Sequence, residues 1–82
     1  MPRRKQTKAA KSSVALALGK RLRAEREKTG LSQEEFSELV SLSKNYIGNI
    51  ERGEYEPSLT VLLQIAKALK RSASDLLAEC GY

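Results

Sequence analysis

Apolar residues in this chain recur every three or four positions and nowhere alternate, so helices rather than strands must build its fold. Val14, Ala15, Leu18 and Leu22 share one helical face, with Glu25 and Arg26 at its edges. "KTG" stops that helix, and Gly30 can take the left-handed conformation such an end needs. "LSQEEFSELV" opens with Ser32 as N-cap and Glu35 three residues on, a capping box. Leu31 precedes the cap, and Phe36, Leu39 and Val40 are its expected apolar face. After the tight "SL" connection, Ser43 is the expected cap of a third helix that Gly53 ends. "EYEP" reads as a loop. Pro57 and Ser58 then start a fourth helix, with Leu59, Leu62, Leu63, Ala66 and Leu69 at helical spacing. Ser72 caps a short fifth, with Leu76 and Leu77 turned inward. The expected class is all-α, five helices, with no internal repeat.

The 82 residues suffice for one small domain. A domain this small buries only about 60% of its unfolded surface, which leaves room for help from a partner subunit. Charge divides the chain unevenly. Residues 1–28 hold ten Lys or Arg and two Glu, whereas residues 29–82 hold five Lys or Arg and eight Asp or Glu. The first twelve residues, "MPRRKQTKAAKS", carry Arg3, Arg4, Lys5, Lys8 and Lys11 with no acid, and read as a disordered basic arm ahead of a domain at 13–82. Such an excess suits a polyanion, either nucleic acid or an anionic membrane surface. A solvated tail that aids solubility is the plainer alternative.

On a helical wheel at about 100° per residue, Ile47 and Ile50 fall together as the buried stripe of the third helix. Lys44, Asn45, Gly48, Asn49 and Arg52 occupy an opposite arc of about 140°. Tyr46 lies at one edge and Glu51 at the other. The arc carries donors and acceptors and no acid. Gly48, in its middle, costs about 0.5–1 kcal/mol relative to Ala. Two readings of it stay open: close approach by a ligand, or relief of packing against the second helix. A DNA major groove admits one helix, where Asn pairs with adenine and Lys with guanine. Tyr46 can contact a phosphate or a thymine methyl.

A capped two-turn helix, a short connection and a second helix with a polar outer face form the layout of a helix-turn-helix. Gln33, in the first turn of the second helix, sits beside free backbone N–H groups that suit a phosphate. Across about residues 18–77, with "GLSQEEF", "YIGNIERGEYEPSL" and "LLQIAKAL" in order, the chain resembles the lambda-repressor-like (Cro/repressor, XRE) helix-turn-helix family. "NYIGNIERG" most resembles the short regulators that include restriction–modification controller proteins, which bind operators as dimers. The resemblance implies groove contacts at Ser43, Lys44, Asn45, Tyr46 and Asn49, a backbone contact at Gln33, and an ion pair between Arg26 and Glu51. Ser37 and Ser41 depart from the family's usual Ala and Gly. Ser37 is small enough to keep the helix crossing, and Ser41 is expected to take a strained positive φ. Gly is also frequent where Lys70 stands.

Val61, Ile65 and Ala68 form a second apolar stripe on the fourth helix. Either the fifth helix covers it, or Val61, Ile65, Leu76 and Leu77 line a two-fold dimer interface. Catalytic readings lack residues: there is no His, no paired-carboxylate constellation, no phosphate loop and no metal set. No cofactor and no small-molecule ligand is implied, and the single Cys80 reads as an incidental thiol. Membrane-surface binding fits poorly with the small polar face of the first helix, broken by Gly19. RNA binding would want an aromatic stacking platform that one Phe does not supply. An antitoxin-like interaction module on the same fold is the alternative, with little chain after the fifth helix to hold a partner. The reading is a cytoplasmic, nucleoid-associated, dimeric transcriptional regulator of the Cro/repressor kind, binding double-stranded DNA.

Overall fold

The computed structural model describes residues 12–82. The expected basic arm therefore lies outside the described residues, except at its last position. Ser12 belongs to the domain, because its hydroxyl accepts from the Ala15 N–H at 3.0 Å and caps the first helix. Five helices follow: α1 (Ser13–Thr29), α2 (Gln33–Leu39), α3 (Tyr46–Glu51), α4 (Leu59–Leu69) and α5 (Ala73–Glu79), with no strand among the described residues. The architecture is all-α, with a helix-turn-helix at α2 and α3. No described helix is long and apolar enough to cross a membrane.

Serine starts four of the helices. Ser12, Ser32, Ser58 and Ser72 each accept from a backbone N–H three residues on, and Ser32 with Glu35 completes a capping box. Such a cap stabilises a helix by about 1 kcal/mol. The expected cap at Ser43 is corrected. Tyr46 N–H donates to the Ser43 carbonyl at 3.0 Å, closing a turn before the helix. The Lys44 carbonyl faces the Ser37 hydroxyl at 3.5 Å, so residues 43–45 lead into α3 and Asn45 is its N-cap.

Helix ends use a left-handed residue. Ser41 (φ 61°) and Lys70 (φ 59°) take that conformation without being glycine. At each, crossed bonds of the Schellman type tie off the helix: Leu42 N–H to Ser37 and Ser41 N–H to Glu38, then Arg71 N–H to Ala66 and Lys70 N–H to Lys67. A side chain in this region costs about 1–2 kcal/mol. The strain expected at Ser41 is thus present, and the end at Lys70 keeps the geometry that Gly favours.

Leu18, Leu22, Phe36, Val40, Ile47, Ile50, Leu62, Ile65, Ala66 and Leu76 form one core. α1 runs against α3, α4 and α5. Its crossing with α3 depends on Gly19, where a Cβ would stand 2.4 Å from the Ile50 carbonyl oxygen and 2.7 Å from that of Glu51. Three burial expectations change. Leu39 is 59% exposed, since Phe36 and Val40 hold the inward line of α2 and Leu39 turns off it at the helix end. On α4, Leu59 (72% exposed) and Leu63 (51%) face outward, while Leu62, Ile65 and Ala66 face in. Ile65 (1%) and Leu76 (0%) lie within the core, so neither side chain can line a partner surface.

Candidate nucleic-acid interface

The rear of α3 is fixed to α1 and α2 through one carboxylate. Arg26 Nε donates to Glu51 Oε2 at 2.6 Å and its Nη2 to Oε1 at 3.1 Å. The third guanidinium arm, Nη1, donates to the Leu31 carbonyl at 2.7 Å, just before the α2 cap. Gln33 Nε2 donates to Glu51 Oε1 at 2.8 Å. The paired side chains are nearly dry, at 10% and 2% exposure. Forked arginine suits this position, because its fixed donors match both oxygens of a carboxylate. Glu51 in turn holds the Arg26 guanidinium still more firmly charged than usual. One acid thus locks the angle between the three helices.

The outward side is polar. Ser43, Lys44, Asn45 and Arg52 are exposed, and Tyr46 and Asn49 are half-buried. The Tyr46 ring leans on Tyr55, with centroids 6.0 Å apart and planes at 41°, which holds it at the margin. Asn49 Oδ1 accepts from Arg52 Nη2 at 2.6 Å. Acids border this surface. Lys44 approaches Glu34 at 3.5 Å, and Arg52 Nε donates to Glu54 at 3.3 Å. Exposed pairs of this kind contribute about 0–1 kcal/mol, so a phosphate can compete for either cation.

Two expected contact residues sit differently from their place on the wheel. Gly48 is buried rather than open on the face. A Cβ there would stand 2.9 Å from Gln33 Oε1 and 3.0 Å from Arg52 Nη1. Of the two readings of this glycine, the structure favours packing against the second helix. Gln33 is half-buried and spends its amide on Glu51, so it braces α2 against α3.

A second ionic group lies along α1, and sequence reasoning missed it. Buried Glu25 receives Arg21 Nη2 at 2.8 Å, Lys28 Nζ at 3.1 Å and Arg71 Nη1 at 3.1 Å. Arg71 also pairs with Glu79, tying α5 into the group. The Lys28 ammonium holds the Glu25 carboxyl below the usual carboxylate range, burial opposes it, and Arg71 adds to the lowering. Only the local spacings, Arg21 four residues before Glu25 and Lys28 three after it, hinted at this group. Gly19 was misplaced too: read as a break in the polar face of α1, it is buried in the stripe of Ala15, Leu18 and Leu22, where a glycine signals close packing. Burial pushes the half-buried Cys80 thiol up, which keeps it protonated. No group of His, Cys, Asp and Glu among the described residues could hold a metal ion.

Comparison with known proteins adds four findings. The helix-turn-helix family HTH_3 matches residues 22–76. Control protein C.SmaI of Serratia marcescens is 39% identical over 64 residues, covering 78% of this chain and 76% of that protein. The immunity repressor protein of Bacillus phage phi105 is 36% identical over 64 residues, and there the chain spans only 44% of the relative's length. Among solved structures, the restriction-modification controller protein C.AhdI from Aeromonas hydrophila superposes with a TM-score of 0.75 at 37% identity, covering 79% of this chain and 98% of that one.

Proposed function

The chain belongs to the XRE-type helix-turn-helix family HTH_3 of transcriptional regulators, and from that membership we propose that it binds a two-fold operator in double-stranded DNA as a homodimer. The observation that carries the reading is the division of α3. Its rear is pinned by the Arg26–Glu51–Gln33 group, and outward it offers Asn49, with Lys44 and Asn45 in the turn that leads into it and Arg52 at its C-cap. A rigid helix presenting such groups fits the major groove, which is about 12 Å wide. Asn45 and Asn49 read base edges. Ser43, Lys44, Tyr46 and Arg52 hold the register through phosphates or flanking bases. Gln33 and Gly48 serve by setting the helix angle. Arg3, Arg4, Lys5, Lys8 and Lys11 follow the DNA backbone, where each neutralised phosphate steepens the salt dependence. The site of action is the cytoplasm, beside the nucleoid.

The dimer surface lies on the outer side of α4 and α5. Half-buried Leu77 remains a candidate there, with exposed Leu59 and Leu63 sharing one face of α4, while half-buried Val61 lies on the opposite face of that helix. Two exposed leucines four residues apart on one helix face, Leu59 and Leu63, fit a partner contact. Selection of bound sequences from a random duplex library tests the whole reading. A two-fold motif with half-sites about 34–36 Å apart, one helical turn, is expected. Equal binding to selected and random duplexes would reject it. Sedimentation of a Leu77→Glu variant tests the surface, with a folded monomer expected and a persistent dimer counting against it.

A further inference from the structure

Asn45 and Asn49 are not equivalent readers. Asn45 is exposed and makes no side-chain capping bond, so both ends of its carboxamide are available. Asn49 has given up one end. Its Oδ1 accepts from Arg52 Nη2 at 2.6 Å. A guanidinium has donors and no acceptor, so the orientation of the Asn49 amide follows from chemistry: oxygen toward Arg52, Nδ2 away.

The arginine is held in this pose by two further features. Arg52 Nε donates to Glu54 Oε2 at 3.3 Å, which draws the guanidinium back along the helix end. Gly48 supplies the space on the other side, since a Cβ there would stand 3.0 Å from Arg52 Nη1. Glycine at this position therefore seats two side chains, Gln33 and Arg52.

We infer that Arg52 is a specificity-determining residue, which makes Asn49 a donor-only reader and directs it to guanine instead of adenine. The inference rests on the reading of α3 as the groove helix. Bidentate recognition of adenine needs Oδ1 to accept from the N6 amino group while Nδ2 donates to N7. With Arg52 bound, one lone pair of Oδ1 is occupied and a cation stands beside the other. An approaching amino group meets positive charge. The bond to Arg52 also polarises the amide, which strengthens Nδ2 as a donor. Guanine presents O6 and N7, two acceptors and no donor, on its groove edge. That edge suits Nδ2, and it suits the positive group behind it.

Sequence selection with the full chain and two variants tests this. The position read by Asn49 is the one whose preference flattens in Asn49→Ala. At that position the wild type should prefer guanine over adenine by about fivefold or more, the lower end of what one base contact gives. Arg52→Met keeps bulk at an exposed site and frees Oδ1. It should weaken binding to every sequence and, at that one position, raise adenine to parity or above. Guanine preference retained in Arg52→Met would overturn the inference. So would a motif in which no position flattens in Asn49→Ala, since Asn49 would then read no base. A wild type that selects no motif removes the groove-helix reading and this inference with it. A clear motif that is insensitive to Arg52 removes the inference alone.

Discussion

On the side of α3 that meets α1, a Cβ on Gly19 would meet two backbone carbonyl oxygens at 2.4 and 2.7 Å, and Arg26 meets Glu51 almost out of water. On the side that faces away, Gly48 is covered by the ends of two flexible side chains, and the Lys44–Glu34 and Arg52–Glu54 pairs are exposed and replaceable. Both sides use a glycine and an arginine, with different consequences. Backbone cannot yield to an added methyl, whereas a Gln or Arg terminus can. A dry ion pair cannot lose one partner cheaply, whereas a wet one can exchange it for phosphate. Rigidity behind and exchangeability in front are what a docking helix requires.

The comparison is broken most directly at its glycines. Gly19→Ala should remove most of the folding free energy, which for a chain of this length is only about 4–12 kcal/mol. Gly48→Ala should change stability by less than about 1 kcal/mol, because the methyl gains helix propensity while Gln33 and Arg52 shift. Urea titration of both variants decides the matter. A Gly19→Ala protein as stable as the wild type would show that α1 and α3 cross loosely. The next effect is on the buried pair. Glu51→Gln leaves Arg26 without its counter-charge and should cost about 3 kcal/mol. Arg52→Met, the exposed counterpart, should cost less than about 0.5 kcal/mol. Equal losses in thermal melts would erase the distinction between the two sides.

The rear side was legible in part from residue order. The capping box at Ser32 and Glu35, the stop at Gly30 and the stripe of Leu18 and Leu22 are local signals, and local hydrogen bonds enforce them. The joining of Arg26 to Glu51 spans 25 residues, so it came from family resemblance and not from periodicity. The wheel misplaced Gly48, since it treats α3 as isolated and cannot show Gln33 reaching over it from α2. The same limit applied on α4. Its Leu residues outnumber its single Ile, but packing turned Ile65 inward and left Leu59 and Leu63 outside. The onset of α3 was misread because Ser43 resembles a cap, while the buried Ser37 hydroxyl facing the Lys44 carbonyl delays the helix to Tyr46.

The outward side is sharpened by changes that leave stability alone. Asn45→Ala should lose about 1–3 kcal/mol on the selected operator, if it contacts base edges, with little change on random duplex. Its melting temperature should match the wild type, because Asn45 supplies no side-chain cap. Equal losses on both duplexes would reassign Asn45 to a phosphate. Smaller again is the gain expected from removing left-handed strain. Ser41→Gly and Lys70→Gly should each stabilise by roughly 0.5–1 kcal/mol, since glycine takes positive φ freely but loses more chain entropy on folding. A melt showing either variant destabilised would mean that its side chain makes a compensating contact.

The least expected effect distinguishes two buried carboxylates of the rear side by their partners. Glu51 is sealed between Arg26 and Gln33, whereas Glu25 shares its charge among Arg21, Lys28 and Arg71, with Lys28 two-thirds exposed at its side chain. Water therefore screens the Glu25 group, and its contribution should be modest. Its direction is still fixed. The folded-state pKa of Glu25 is lowered, chiefly by Lys28, so the native chain keeps the carboxylate ionised at acidities where the unfolded chain, with a pKa of about 4.3, takes up a proton. Stability from this group is then fully present above about pH 5 and is lost as pH falls through the folded-state value. Denaturant titrations of wild type and Glu25→Gln should differ by a constant amount between pH 6 and 8, and the gap should narrow as pH falls below about 4.3, the unfolded-state value. A gap that persists undiminished at pH 3 would show that Glu25 acts through packing of its stem, and the contrast with Glu51 would then rest on burial alone.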